Sequence, residues 1–336
     1  MVGGRNARDW AKGKAQAIFL RVKDGAREKP GARGSGKWRG AIRPAKLGLV
    51  RMFVAMLLLL AAATATEGQP GSGGAPSLTP AEARGLVARA LATELRTAQD
   101  AAHPMRFLLR KASPRLTTTK QIVETRDGAV ARLVAMYDRP LNASQEQTEQ
   151  ERLEMLLNDP SRQERRKENE ESDFGMVMKL LRMLPSAYQY QYAGPGQGPA
   201  GRVEKFTFRP NPGFSPPDLE SEALTAMTGE IWIDAAQERV TRLEGHLQQD
   251  TEYGWGILGK LDKGGWIVIE QTDVGGRQWR IARFKMQMNL RILFKTKDID
   301  TEEEMTQYAP VAVGMDYRQA IRLLRAGSGG VGRGAR

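Results

Sequence analysis

The sequence predicts an α+β fold built on one strongly curved antiparallel β-sheet, with a helix at its start and a helical segment inserted between strands. Three observations carry that expectation. Apolar and polar residues alternate along residues 282–294, the period of a strand with one buried face. Shorter runs of the same kind recur from Tyr188 onward, separated by turns rich in Gly, Pro and Asp, as antiparallel neighbours require. Helical periodicity is confined to the start of the folded part, an insertion near the middle and the C-terminal end.

The chain enters through two segments expected to stand apart from that fold. Residues 1–51 hold 14 basic and three acidic residues, a net of +11, while the whole 336-residue chain carries +12. Residues 1–49 are poor in apolar side chains and show no sustained period, so they read as a disordered basic extension or a start placed too early. A basic arm for nucleic acid is the alternative, and export argues against it. With the extension set aside, the rest carries about +1, so no nucleic-acid partner is expected for the folded part.

Residues 50–65 follow the order of a secretory signal peptide: Arg43, Lys46 and Arg51, then the apolar run Met52–Ala65 ending in Ala63-Thr64-Ala65. The run is shorter than the roughly 20 residues of a spanning helix, so no stable transmembrane span is expected after cleavage. An uncleaved N-terminal anchor is the alternative. A Gly-, Pro- and Ser-rich linker occupies 66–78. The chain has no cysteine, which excludes a lipidated-cysteine anchor and any disulfide framework. Stability must come from an apolar core.

The folded part opens at Leu78-Thr79-Pro80-Ala81-Glu82-Ala83. Thr79 suits the N-cap, Pro80 the first helical position and Glu82 the third, which makes a capping box. Val87, Ala90, Leu91 and Leu95 then mark a buried face, and His103-Pro104 closes the helix. Met105–Lys111 reads as a strand. Thr117–Thr125 and Ala129–Tyr137 flank Arg126-Asp127-Gly128 as a hairpin. Asn142–Asp173 is dominated by Gln, Glu, Arg and Asn. It reads as helix with a solvated polar face, a capping box at Ser144 and Gln147, and a break at Asp159-Pro160. Phe174, Val177, Met178, Leu181 and Leu184 form a second amphipathic run before Pro185.

Strands then resume. Tyr188, Tyr190 and Tyr192 share one face, residues 194–201 turn the chain, and Val203–Arg209 returns it with Phe206 and Phe208 together. A Pro-rich loop over 210–217 precedes strands at 229–234, 239–248, 265–273 and 280–297, and Asp316–Leu324 reads as a closing helix. At least seven strands are expected, with a disordered tail over 326–336.

The candidate binding residues lie on the longest alternating run. Phe284, Met286, Met288, Leu290, Ile292 and Phe294 share one face; Arg283, Lys285, Gln287, Asn289, Arg291 and Lys295 share the other. An inner face rich in Met and Phe under amphipathic helices is either a filled core or the lining of an apolar pocket, since methionine adapts to different shapes. The basic opposite face reads as solvated, with acidic headgroups as the alternative.

The segment Gly229-Glu230-Ile231-Trp232-Ile233-Asp234, followed by Arg239-Val240-Thr241-Arg242-Leu243-Glu244-Gly245, resembles the hairpin of the LolA/LolB/RseB superfamily of periplasmic proteins. The whole exported region is also similar to an uncharacterised family of secreted bacterial proteins. The superfamily resemblance spans roughly 79–325. It implies an unclosed β-barrel, helices that cover an apolar cavity on the concave face, and a periplasmic location. The long polar insertion and the Pro-rich loop depart from the carriers, so no individual binding residue is carried over.

An enzyme is not expected. His103 and His246 are the only histidines and lack ligand-spaced partners, so no metal site is predicted. No Gly-x-Ser-x-Gly elbow appears, and the Gly-rich stretch 194–201 lacks the Lys-Ser/Thr of a phosphate loop. No catalytic residue and no cofactor is assigned. Two functions follow: an envelope protein that holds an acyl chain or lipidated peptide, or an RseB-type interaction module that docks on an envelope partner through the sheet and the insertion.

Overall fold

The chain divides into two units, Met1–Arg51 and Met52–Arg336. The computed structural model describes residues 78–98, 101–198, 201–253, 259–292 and 295–326, all in the second unit. The expected signal peptide, the linker up to residue 77 and the tail beyond residue 326 lie outside the described residues.

Helix α1, Pro80–Thr97, begins as its sequence dictates. The Thr79 hydroxyl accepts from the Glu82 amide, and the Glu82 carboxylate accepts from the Thr79 amide at 2.8 Å. Its buried stripe is Ala83, Leu86, Val87, Ala90 and Leu91, with Thr93 beyond. Leu95, expected on that stripe, is only half-buried.

Strands β1 (Met105–Ala112), β2 (Thr118–Val123), β3 (Val130–Met136) and the two-residue β4 (Arg139–Pro140) follow. Gly128 in the β2–β3 hairpin has φ +87°, and a Cβ there would lie 3.3 Å from the Lys167 backbone, so both the turn and a close helix demand glycine. Helices α2, Ala143–Asn158, and α3, Pro160–Ala187, form the insertion. The cap of α2 is Asn142 with Gln145, not Ser144 with Gln147, because Asn142 is the residue with extended backbone at the helix start. The break expected at Asp159-Pro160 separates α2 from α3, and α3 takes Pro185 into its last turn, where the lost hydrogen bond ends the helix at Ala187.

The second half contains β5 (Tyr188–Gly198), β6 (Gly201–Pro210), α4 (Leu219–Glu222), β7 (Met227–Asp234) and β8 (Arg239–Leu247). Then come β9 (Thr251–Tyr253), β10 (Gly259–Leu261), β11 (Trp266–Asp273), β12 (Trp279–Ile292), β13 (Lys295–Pro310) and α5 (Tyr317–Ala326). The described strands form one antiparallel sheet ordered β4-β3-β2-β1-β13-β12-β11-β8-β7-β6-β5, with β10 joining β12 and β9 joining β10. It is an α+β fold whose sheet does not close into a barrel.

Three strand expectations change. The run 280–297 is two strands: β12 ends at Ile292 and the chain returns as β13, whose acidic sequence Asp298–Glu304 hid it from an apolar alternation test. The Gly-rich stretch from Gly194 to Gly198 is paired strand rather than turn. The short strands β9 and β10 carried no sequence signal.

Helix α3 links the two ends of the sheet. Its first turns meet Asp127–Ala129 in the β2–β3 hairpin near one edge, and its last residue leads directly into β5, the edge strand at the other end. At 1.5 Å per residue its 28 residues reach about 42 Å. A second core lies on the reverse face of β2 and β3, where Val123 and Val130 pack with Leu153 and Leu156 of α2 and with Tyr317, Ala320, Ile321 and Leu324 of α5.

Candidate ligand-binding face

Residues opposite one another in antiparallel strands share a face, so the registers trace rows across the sheet. One row runs Tyr190, Phe208, Gly229, Gly245, Ile267, Met286, Thr301 over seven strands. The next runs Tyr192, Phe206, Ile231, Leu243, Ile269, Phe284, Glu303. This inner face carries α1: Ala83 borders a cleft with Tyr190, Tyr192 and Phe206.

The structure puts Phe284, Met286, Met288 and Leu290 together in the middle of this face, each no more than 2% exposed. Ile292 is the last residue of β12, and Phe294 lies outside the described residues. The neighbours of the four come from strands far away in sequence. Ile267 faces Met286, Ile269 faces Phe284 and Ile299 faces Met288. A Cβ added at Gly265 would sit 3.1 Å from Met288 Cγ and 3.2 Å from Leu247 Cδ1.

Sequence reasoning missed the glycine pair at the centre. Gly229 and Gly245 face each other across β7 and β8, both buried, between Phe208 on one side and Ile267 on the other. Two adjacent strands therefore contribute no side chain there, a trough in the row of side chains of an otherwise apolar floor, with both glycines covered. Both glycines were visible within the hairpin motif, but only the register shows that they are opposite. The cleft of about 350 Å³ opens over β5 and β6, between the start of α1 (Leu78, Pro80, Ala83, Arg84) and Tyr190, Tyr192 and Phe206. The Tyr192 hydroxyl donates to Glu204 at 2.6 Å; desolvation and that carboxylate push its pKa up to about 12.

The basic side of β12 is exposed as expected, but its charge is answered by β13. Lys285 pairs with Glu302 at 2.7 Å and Arg283 with Glu304 at 3.5 Å. A ladder crosses the outer face: Lys205 lies 4.0 Å over the Trp232 ring, the Arg242 guanidinium lies 5.2 Å from the centre of the same ring, and Arg242 pairs with Glu270, which also meets Arg283 at 3.5 Å. Alternating charge at directly opposed positions leaves no net basic patch for headgroups along this row.

The polar insertion is not simply solvated. Along the open edge of β3, Glu170 accepts from the Ala129 amide at 2.8 Å and Arg166 donates to the Ala129 carbonyl at 3.2 Å. Arg152 donates to the Ala131 carbonyl, and Glu149 accepts from the Leu133 amide at 2.8 Å. Gln163 donates to the Asp127 carbonyl at 2.6 Å. Charged helix side chains thus satisfy the edge groups another strand would satisfy. Phe174, expected on the buried stripe, is 42% exposed.

Among the described residues no group of three or more His, Asp or Glu is placed to hold a metal ion. His246 lies 3.6 Å from Glu244 on the outer face, and His103 sits near the start of β1. No described helix is long and apolar enough to cross a membrane.

No protein-family model matches the chain, and no curated protein matches it. Among solved structures, the chain is similar to a protein domain of the outer membrane lipoprotein-sorting type from Vibrio parahaemolyticus. That match has 9% identity, covers 70% of this chain and 97% of that one, and has a TM-score of 0.30. It is also similar to MucB in its complex with MucA(peri), at 11% identity, covering 68% and 99%, with a TM-score of 0.19.

Proposed function

We propose that this is an exported cell-envelope protein that binds an apolar ligand, an acyl chain or a lipidated peptide, without catalysis. The order of basic, apolar and small residues over Arg43–Ala65 supports export to the periplasm. The observation that carries the binding function is the trough at Gly229 and Gly245, set in an apolar floor that reaches from Phe208 to Met286 and is bordered by the cleft under α1. Apolar pockets with few polar groups are the usual form of a lipid site. Docking through the 144–173 insertion is the weaker reading, because Glu149, Arg152, Gln163, Arg166 and Glu170 are engaged with the β2–β3 unit.

The test is a titration of detergent-free protein with a fluorescent acyl probe, run on wild type and on Gly245→Val. Neither Gly229 nor Gly245 has a positive φ, so valine is compatible with the strand. Saturable one-to-one binding that Gly245→Val abolishes, with its melting temperature kept, is the expected result. A wild type that binds no probe would overturn the reading. A Gly245→Val protein that loses stability instead would show the trough to be filled by the protein itself.

A further inference from the structure

Lys120 stands at the centre of β2 on the inner face, opposite Leu109 of β1 and Leu133 of β3. Its flanking inner-face residues, Thr118 and Ile122, are both buried. Leu109, Ile122 and Ala131 form an apolar cluster there with Phe107 and Met305 packed against it. Three further cations bear on the ammonium through their charge: Arg152, Arg166 and Lys111. Each of these is already engaged. Arg152 pairs with Glu149 at 2.7 Å, Lys111 pairs with Glu303, and Arg166 donates to the Ala129 carbonyl. The Glu149 carboxylate acts favourably on Lys120, but its oxygens are held by Arg152 and the Leu133 amide.

Lys120 itself has no hydrogen bond and no ion pair among the described residues, although it is half-buried. Burial, followed by the neighbouring Arg152, Arg166 and Lys111, brings its pKa down to about 8. A cation held in an apolar wall beside other cations is unfavourable unless an anion arrives from outside. The wall is continuous with the proposed acyl face: β2, β1, β13 and β12 are successive strands, so Lys120 lies three strand spacings, about 14 Å, from the Phe284 strand.

We infer that Lys120 is the anion-binding end of the apolar site, so that the ligand is an amphiphile whose carboxylate or phosphate head meets Lys120 while its chain lies along the inner face. This rests on the apolar-ligand reading and narrows it to one ligand class. Arg152 and Arg166 add a positive field but keep their own partners. Of these four cations Lys120 alone makes no side-chain hydrogen bond among the described residues, and its ammonium offers three donors.

The experiment compares dodecanoate, dodecyl phosphate and dodecanol by calorimetry on wild type, Lys120→Met and Lys120→Arg, with inorganic phosphate and acetate as controls. The expected result is that wild type binds at least one anionic amphiphile about tenfold or more tightly than dodecanol, the gain of a charge-assisted hydrogen bond. Which anion gains most separates a carboxylate head from a phosphate head. Lys120→Met is expected to erase the preference and leave dodecanol binding unchanged, while Lys120→Arg retains it. NMR of the Lys120 ammonium is expected to show its pKa rising when the amphiphile binds. Equal affinities for the charged and neutral probes, or a preference that survives Lys120→Met, would overturn the anion site and leave the apolar reading standing. Binding of none of the three amphiphiles would overturn the apolar reading and this inference with it. A Lys120 pKa raised as far by inorganic phosphate or acetate alone would overturn the amphiphile in favour of a small anion.

Discussion

Glu94 of α1 grips Arg239 of β8 with both carboxylate oxygens, at 2.8 and 2.9 Å, and the same carboxylate accepts from the Val240 amide at 2.9 Å and from Gln271 at 3.1 Å. Arg239 is 6% exposed, and its guanidinium lies 5.8 Å from the centre of the Trp279 ring. This one contact joins the helix to β8 and β11 and fixes the cover over the inner face.

Removing the carboxylate leaves a buried guanidinium without its partner. Glu94→Ala is therefore expected to destabilise the protein by about 3–5 kcal/mol, whereas Glu94→Met combined with Arg239→Met is expected to cost much less. Urea unfolding of Glu94→Ala and of the double variant measures the difference. A mild Glu94→Ala would mean that α1 is held by its apolar stripe alone.

The helix side chains along β3 predict a local effect. In Glu149→Ala the Leu133 amide, and in Glu170→Ala the Ala129 amide, is expected to exchange its hydrogen faster, with a loss of about 1–3 kcal/mol for each unsatisfied edge group. Amide exchange read residue by residue checks this. Amides of β12 are expected to keep their protection in both variants. Uniform acceleration would indicate global destabilisation rather than an opened edge.

Lys120 predicts a pH dependence with a definite sign. Its folded pKa of about 8 lies below the value of 10.5 for an unperturbed lysine, so the unfolded chain holds the proton more tightly. The charged form destabilises the fold below pH 8, and that loss is relieved as the pH rises from about 8 to about 10.5. Lys120→Met is thus expected to be more stable than wild type by about 1–3 kcal/mol at pH 7, with the gap closing by pH 10.5. Paired denaturant curves across that range measure it.

Glu244 acts in the opposite direction. The neighbouring His246, 3.6 Å away, and the paired Arg242 hold its pKa at about 2, well under the ordinary 4.5. A depressed carboxylate stabilises the fold above its unfolded pKa and stops doing so as the pH falls from about 4.5 to about 2. Glu244→Gln is expected to flatten that acid limb while changing stability at pH 3 less than at pH 6. Acid titration followed by circular dichroism tests it.

Where local chemistry decides the structure, it was legible. Thr79, Pro80 and Glu82 form their cap through neighbours three residues away, and Arg126-Asp127-Gly128 turns because Gly128 takes a positive φ. The alternation of Phe284, Met286, Met288 and Leu290 is a property of one strand and predicted their common burial. Phe174 and Leu95 were misplaced because helical periodicity assigns a face without knowing how far the covering surface extends. Strand β13 was hidden because its solvent-facing acids answer bases on β12, a match that exists only once the strands pair.

The sequence by itself determined the fold class, the order of most elements and the apolar face of β12, because caps, turns and residue period act within a few positions of the chain. Only the tertiary structure decided what those pieces do together. It set Gly229 against Gly245, turned the polar insertion into a cap for β3 and left Lys120 among cations on an apolar wall. Each of these is a relation between residues brought side by side by strand register or helix docking, and neither is encoded in the short-range pattern of a single segment.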